Sequence, residues 1–233
     1  MRPGTPPDTP GAAIDAVLYD FGNVLVAWDP YRAYTGYADR DTVDAFFADV
    51  DFAALNHGRD AGGTWADARV QVDATHPQHV RLVDRYVEHF AATLVGPVDG
   101  SAELVDELAH LGLHLFGLTN WSAELFHHAA AAAPATTRMD DVLVSGREHL
   151  AKPDPAIFTL ALERFHLDPA RTLFTDDSAA NIDAAARLGL RTHLFRGTPG
   201  LRAALRDLGV DVAPAGPRPA TAPAPAPEER HDT

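Results

Sequence analysis

The sequence predicts an α/β protein, a parallel sheet covered by helices on both faces and interrupted by an all-helical insertion. Three observations carry this. Short apolar runs alternate with helical patterns, the runs are apolar nearly throughout instead of at every second residue, and one connection is far longer than the others. Strands buried on both faces need continuous apolar runs, and parallel neighbours need a crossover that a helix supplies.

Taken in order, the strand candidates are AVLYD (16–20), LHLFGLT (113–119), DVLVS (141–145), RTLFTD (171–176) and RTHLF (191–195). Helix signals stand between them: Ser101 before AELVDELAHL, Asp154 and Pro155 opening PAIFTLALERF, and Ser178 opening SAANIDAAARL with Gly189 as its stop. The long connection follows the first strand and runs for about seventy residues. Within it DRDTVDAFFADV, TWADARVQV and PQHVRLVDRYVEHFAAT place apolar residues three and four apart, a helical period. An insertion at that point lies over the carboxyl ends of the strands, where open α/β sheets bind ligands, so it is expected to act as a cap.

The boundaries follow. Residues 14–27 and 98–212 are read as the core and 28–97 as the helical cap; residues 1–13, with four prolines, and a Pro/Ala tail over 213–233 are read as disordered. The 233 residues suffice for one core with a small appended domain. Zero cysteines exclude disulfides, thiolate metal sites and cysteine nucleophiles. A formal charge of −14, from 33 acidic and 19 basic residues, disfavours nucleic acid and anionic membranes as partners. No apolar stretch is long enough to span a bilayer and the N-terminus does not read as a signal peptide, so a cytoplasmic location is the expectation. No particular oligomeric state is implied.

Polar residues cluster at the predicted strand ends. Asp20 ends the first, Thr119 and Asn120 the second, Asp176 and Asp177 the fourth, and Lys152 precedes the Pro155 helix. Taken singly, an aspartate after a strand is a common turn or cap residue, Thr119-Asn120 suits a helix cap, and Lys152 suits a solvated loop. In a parallel sheet, however, these ends share one edge, where a carboxylate pair implies a cation or a shared proton.

The segments LYDFGNVLV, LFGLTNWS, AKPDPAIF and LFTDDSAANIDAA, in this order, resemble the motifs of the haloacid dehalogenase superfamily, in the branch with a helical cap between the first two. The resemblance spans about residues 14–210. It implies a Rossmann-like core and an aspartate-nucleophile hydrolase, with Asp20 forming an aspartyl-phosphate. Mg²⁺ would be held by Asp176, Asp177, the Asp20 carboxylate and the Gly22 carbonyl, Asp177 being the favoured direct ligand. Thr119, Asn120 and the amides after them would bind phosphoryl oxygens, and Lys152 would offset charge and orient Asp20. Ser178 and Asn181 would cap the following helix and steady the metal loop. The paired acids favour a phosphatase of a small phosphorylated metabolite over the metal-free 2-haloacid dehalogenases of the superfamily; a binding protein without turnover is the contrary reading.

One departure stands out. The superfamily's phosphatases usually carry a second aspartate two residues after the first as acid/base, and here that residue is Gly22. The D-x-G-N-V form resembles members acting on sugar phosphates, which makes a sugar phosphate the favoured substrate and Asn23 an expected substrate-binding residue. The missing proton could come from the cap, where NHGRDAGGTW offers a polar loop: Asn56, His57, Arg59 and Asp60, of which His57 or Asp60 is expected to touch the substrate. Trp28 and Trp121 each follow a motif and are candidates for the pocket wall. The histidines are scattered, so no zinc site is expected.

Overall fold

The computed structural model describes residues 14–214; the expectations for residues 1–13 and for 215–233 of the tail lie outside them. The chain opens with β1 (Ala16–Tyr19), buried throughout, and turns at Phe21–Leu25 into β2 (Val26–Trp28). Five helices follow: α1 (Arg40–Asp49), α2 (Phe52–Asp60), α3 (Trp65–Thr75), α4 (Val80–Glu88) and the single turn α5 (Phe90–Thr93). Strand β3 (Leu94–Pro97) then returns antiparallel to β2, so the helical segment leaves and re-enters through a two-stranded ribbon.

The remainder alternates. Helix α6 (Ser101–His110) leads to β4 (His114–Thr119), the short α7 (Ala129–Ala132) to β5 (Asp141–Val144), and α8 (Ser145–Glu148) with α9 (Pro155–Arg164) to β6 (Thr172–Asp176). Helix α10 (Ala179–Arg187), β7 (Arg191–Leu194) and α11 (Thr198–Asp207) complete it. The main sheet has the order β5-β4-β1-β6-β7, every neighbouring pair parallel, with β1 at its centre.

Alternation along the strands explains why the apolar runs are continuous. Val17, Tyr19, Leu115 and Leu173 join a core containing Leu104 and Leu108 of α6, whereas Leu18, Leu118 and Phe174 join one containing Ile157 and Phe158 of α9. The sheet is thus wet on neither face. Gly117 in β4 has a packing role: a Cβ there would lie 2.7 Å from Cε1 of Phe21, which fills the space beside the first turn.

The predicted core strands agree with the observed ones to within one residue at each end. The all-helical reading of 28–97 is corrected at its edges, since Trp28 ends β2 and Leu94–Pro97 is β3. The segment PQHVRLVDRYVEHFAAT is one short 3-10 turn and two helices separated at His89, not one helix. The polar stretch NHGRD belongs to α2 and is not a loop. Its apolar anchors, Phe52 and Leu55, are only two, and Phe52 is held by Phe46, Phe47 and Tyr86 around it. Packing, not local propensity, makes that helix. No helix among the described residues is long and apolar enough to cross a membrane.

Candidate active site

The centre of the site is a buried lysine. Lys152, in the loop before α9, is 1% exposed, and its Nζ donates to Asp20 Oδ1 at 2.9 Å, Leu118 O at 2.8 Å and Asp176 Oδ2 at 2.7 Å. Three ammonium protons meet three acceptors, the condition under which a buried charge is tolerated. Burial works against the charged lysine, but Asp20 and Asp176 outweigh it and hold its pKa above the ordinary value.

Asp20 stands one residue beyond β1, fixed by its amide donating to Thr175 O at 3.0 Å. Burial, opposed by Lys152 and reinforced by Asp176 and Asp177, raises its carboxyl to about 7. Asp176, at the end of β6, is fully buried and committed: Oδ1 accepts from the Ser178 amide at 2.8 Å, and both oxygens accept from Asn181 Nδ2 at 3.0 Å. Asp177 is half-buried, its pKa raised by burial and by Asp176, and it accepts from Asn23 Nδ2 at 3.3 Å.

Oxygens of Asp20, Asp176 and Asp177 come within 4.8 Å of one another. Three carboxylates against one ammonium leave a formal excess of negative charge that suits a divalent cation, and an all-oxygen donor set suits Mg²⁺. Phe21 O and Val26 O accept the hydrogen bonds of the first turn, which leaves the Gly22 carbonyl available as a further ligand.

Several expected contacts are corrected by this geometry. Asn120 turns its side chain to the backbone of Lys152, donating to the carbonyl at 2.8 Å and accepting from the amide at 2.9 Å, so it pins the lysine loop and keeps one N–H over. The Trp121 amide donates to Ser145 Oγ at 2.9 Å, and the Ser122 amide faces Asp60 and favours its charged form. Among the described residues, the amides of Phe21 and Gly22 instead have no acceptor, as does the buried hydroxyl of Thr119. Asn23 adopts the left-handed region (φ 55°), which asparagine tolerates, and its Oδ1 accepts from the Trp28 amide at 3.1 Å while its Nδ2 holds Asp177. That makes it a positioning residue and not a substrate contact. Ser178 does not cap α10 through its side chain; the Asp176 carboxylate takes that place, and Asn181 steadies it as expected.

Against this cluster lies a cavity of about 120 Å³ whose wall includes Gly22 and Asn120. Trp28, Trp65 and Trp121, the three tryptophans of the chain, all line it. Trp65, Tyr86, Phe90 and Trp121 form a continuous wall, with successive ring centroids 5.0, 5.7 and 6.0 Å apart. Trp28 and Trp121 were legible as wall candidates; Trp65, Tyr86 and Phe90 were not, because an aromatic at helical spacing looks the same whether it meets core or cavity.

Asp60 is the one acid in that wall. It projects from the last turn of α2, bonded to Asn56 Nδ2 at 3.0 Å, and burial, reinforced by the charge of Asp20 and opposed by the Ser122 amide, raises its pKa to about 7. His57 is exposed and lines, with Tyr31 and Phe47, an outer groove that shares Trp28, Asn56 and Asp60 with the cavity; His57 itself is not part of the cavity wall.

A sequence profile described as haloacid dehalogenase-like hydrolase matches residues 14–189. The N-acetylmuramic acid 6-phosphate phosphatase of Pseudomonas aeruginosa is 30% identical over 52% of this chain and 53% of its own length. The sesquiterpene phosphatase astK of Aspergillus oryzae is 23% identical over 75% of this chain and 86% of its own. Across the curated relatives, the share of their length that this chain spans runs from 8% upward, and is 60% for Protein CbbY of Rhodobacter capsulatus. Among solved structures, the enzyme bt-2542 of Bacteroides thetaiotaomicron superposes with a TM-score of 0.68 at 21% identity, over 83% of this chain and 99% of that one.

Proposed function

Since the chain belongs to the haloacid dehalogenase-like hydrolases, we propose that it hydrolyses a small organic phosphate monoester, with Mg²⁺, through a phosphoaspartate on Asp20. The observation that carries this is the Asp20–Lys152–Asp176 linkage beside Asp177 at the carboxyl edge of a parallel sheet. Two of the relatives described above bear the name phosphatase. The form of the first motif and the muramic acid enzyme are precedents for a sugar phosphate, and the sesquiterpene enzyme for a hydrocarbon one.

With Lys152 holding Oδ1, Oδ2 of Asp20 attacks phosphorus. The phosphorus–oxygen bond to the alcohol breaks, and its electron pair leaves with that oxygen. Asp60, in its acid form, gives the oxygen a proton in place of the aspartate absent at Gly22. The resulting Asp60 carboxylate then takes a proton from water as it attacks the phosphoaspartate, which frees phosphate and restores both aspartates. Thr119 Oγ1 and the amides of Phe21 and Gly22 donate to the phosphoryl oxygens, a placed set of donors that requires no rearrangement during reaction. The cation, when bound, supplies positive charge against those same oxygens.

The test is phosphate release in Mg²⁺ across sugar, nucleotide, aryl and alkyl phosphates, with 2-haloacids alongside. Release that stops with chelator and with Asp20→Asn is expected. Halide release without phosphate release would overturn the reading, as would an Asp20→Asn protein as active as its parent.

A further inference from the structure

The cavity beside Asp20 says what kind of alcohol is released. We infer that the tryptophan cavity binds the leaving group and that this group is predominantly hydrocarbon, an apolar ring or branched chain, not a sugar; the inference rests on the phosphatase reading for its position in the reaction. Its wall is aromatic and aliphatic over most of its extent, with Trp28, Trp65, Tyr86, Phe90, Leu94 and Trp121 contributing. At about 120 Å³ it is comparable to apolar cavities that take up a small hydrocarbon ring.

Counting polar partners separates the two classes. A hexose brings a hydroxyl on nearly every carbon, and each, once buried, needs both a donor and an acceptor. The wall offers few free groups: Asn120 gives its oxygen and one N–H to the Lys152 backbone, and Asn56 gives one N–H to Asp60. Among the described residues, the polar atoms of the wall buried without a partner are the indole N–H of Trp65 and of Trp121 and the hydroxyl of Tyr86, with Asp60 beside them. This short set matches the oxygen of a single alcohol with room for one or two further oxygen substituents. A sugar buried there would forfeit most of its hydrogen bonds to water, at a cost that aromatic contact does not offset.

A quaternary ammonium alcohol is the other guest that aromatic cages favour. Such a cation needs a countercharge. The only acid in the wall is Asp60, whose burial favours the neutral form, so the cavity suits an uncharged guest. The neutral acid also matches the chemistry, because an alkoxide from a hydrocarbon alcohol is a poor leaving group and has to be protonated as it departs.

Two measurements test this. The first compares kcat/KM with Mg²⁺ for geranyl phosphate and benzyl phosphate against glucose 1-phosphate, glucose 6-phosphate and phosphocholine. An advantage of at least about tenfold for the apolar esters is expected, one decade being the effect of about 1.4 kcal/mol in binding. The second titrates geraniol, benzyl alcohol and glucose into the full chain, parent and Asp20→Asn, and follows tryptophan emission. Saturable shifts with the apolar alcohols alone are expected, and Trp28→Ala should weaken them and raise KM for geranyl phosphate more than for glucose 6-phosphate. A preference for either sugar phosphate or for phosphocholine overturns the inference, as does emission unmoved by the apolar alcohols. Saturable geraniol binding without phosphate release from any ester would uphold the cavity's assignment and defeat the phosphatase reading instead.

Discussion

Gly22 and Asp60 together define the acid/base chemistry proposed for this site. A Cβ added at Gly22 would meet nothing within 4 Å, so the position can hold a side chain. Gly22→Asp is therefore expected to fold and to give the site a second acid, raising turnover of alkyl phosphates most when it is combined with Asp60→Asn. A gain of about 10² in that background, measured as kcat, is the scale of a positioned acid/base. Asp60→Asn alone should slow alkyl phosphates far more than aryl ones. It also carries a stability signature. The folded-state pKa of Asp60 is raised from 3.8 to about 7 by burial, so its contribution is fully favourable below 3.8 and is lost as pH rises through about 7. Asp60→Asn should thus be more stable than the parent at pH 8, by on the order of 2 to 4 kcal/mol, with the difference gone near pH 4 in thermal melts. Asp20, Lys152 and the aspartate pair were legible because their positions at strand ends carry the meaning. Asn23 was misread, and Asn120 read only in part, because an amide side chain serves a backbone as readily as a ligand, and only their partners decide.

The ribbon of β2 and β3 fixes where the helical segment leaves the core, and one contact fixes where it lands. Glu124, in the loop after β4, accepts from the Trp65 amide at 2.7 Å, placing a carboxylate at the N-terminus of α3 where the helix dipole favours it. Glu124→Ala is expected to cost about 1 kcal/mol, a drop of about 2 to 4 °C in Tm for a chain of this size, and to raise KM by loosening Trp65 in the cavity wall. Unchanged KM with lowered Tm would mean that the contact is structural only. At this scale the sequence was informative where caps are local: Asp154 accepts from the Ala156 amide and Pro155 opens α9 as read. It was uninformative where packing overrides propensity. Helix α2 starts from Asp51 in a left-handed conformation (φ 47°) and contains Asn, His and Gly, so its signals resemble a turn until Phe52 finds its aromatic neighbours.

For the molecule as a whole, a formal charge of −14 acts on every phosphate that approaches. Long-range repulsion between like charges slows encounter, and salt screens it over about 10 Å at 0.1 M. Hence kcat/KM for a dianionic phosphate ester should rise with ionic strength between roughly 0.01 and 0.15 M, whereas an attractive site would lose rate over the same range; stopped-flow or initial-rate measurements at fixed Mg²⁺ decide it. The α/β class and the strand boundaries were legible from continuous apolar runs. The sheet order was not read from the sequence, because the pairing of β1 with both β4 and β6 is a property of how the crossovers wind.

The lysine has a consequence for when the protein becomes an enzyme. Lys152 and Asp20 are 132 positions apart, and the same ammonium also grips Leu118 in β4 and Asp176 in β6. Hence the complete charged centre does not pre-exist in any one part of the chain; it is created at the moment the three middle strands come together. A partly folded or truncated chain would carry the nucleophile as an ordinary surface carboxylate, inert towards phosphate esters. Catalysis in such a molecule is a late event of assembly, and a hydrolase built in this way is kept silent until its sheet is complete.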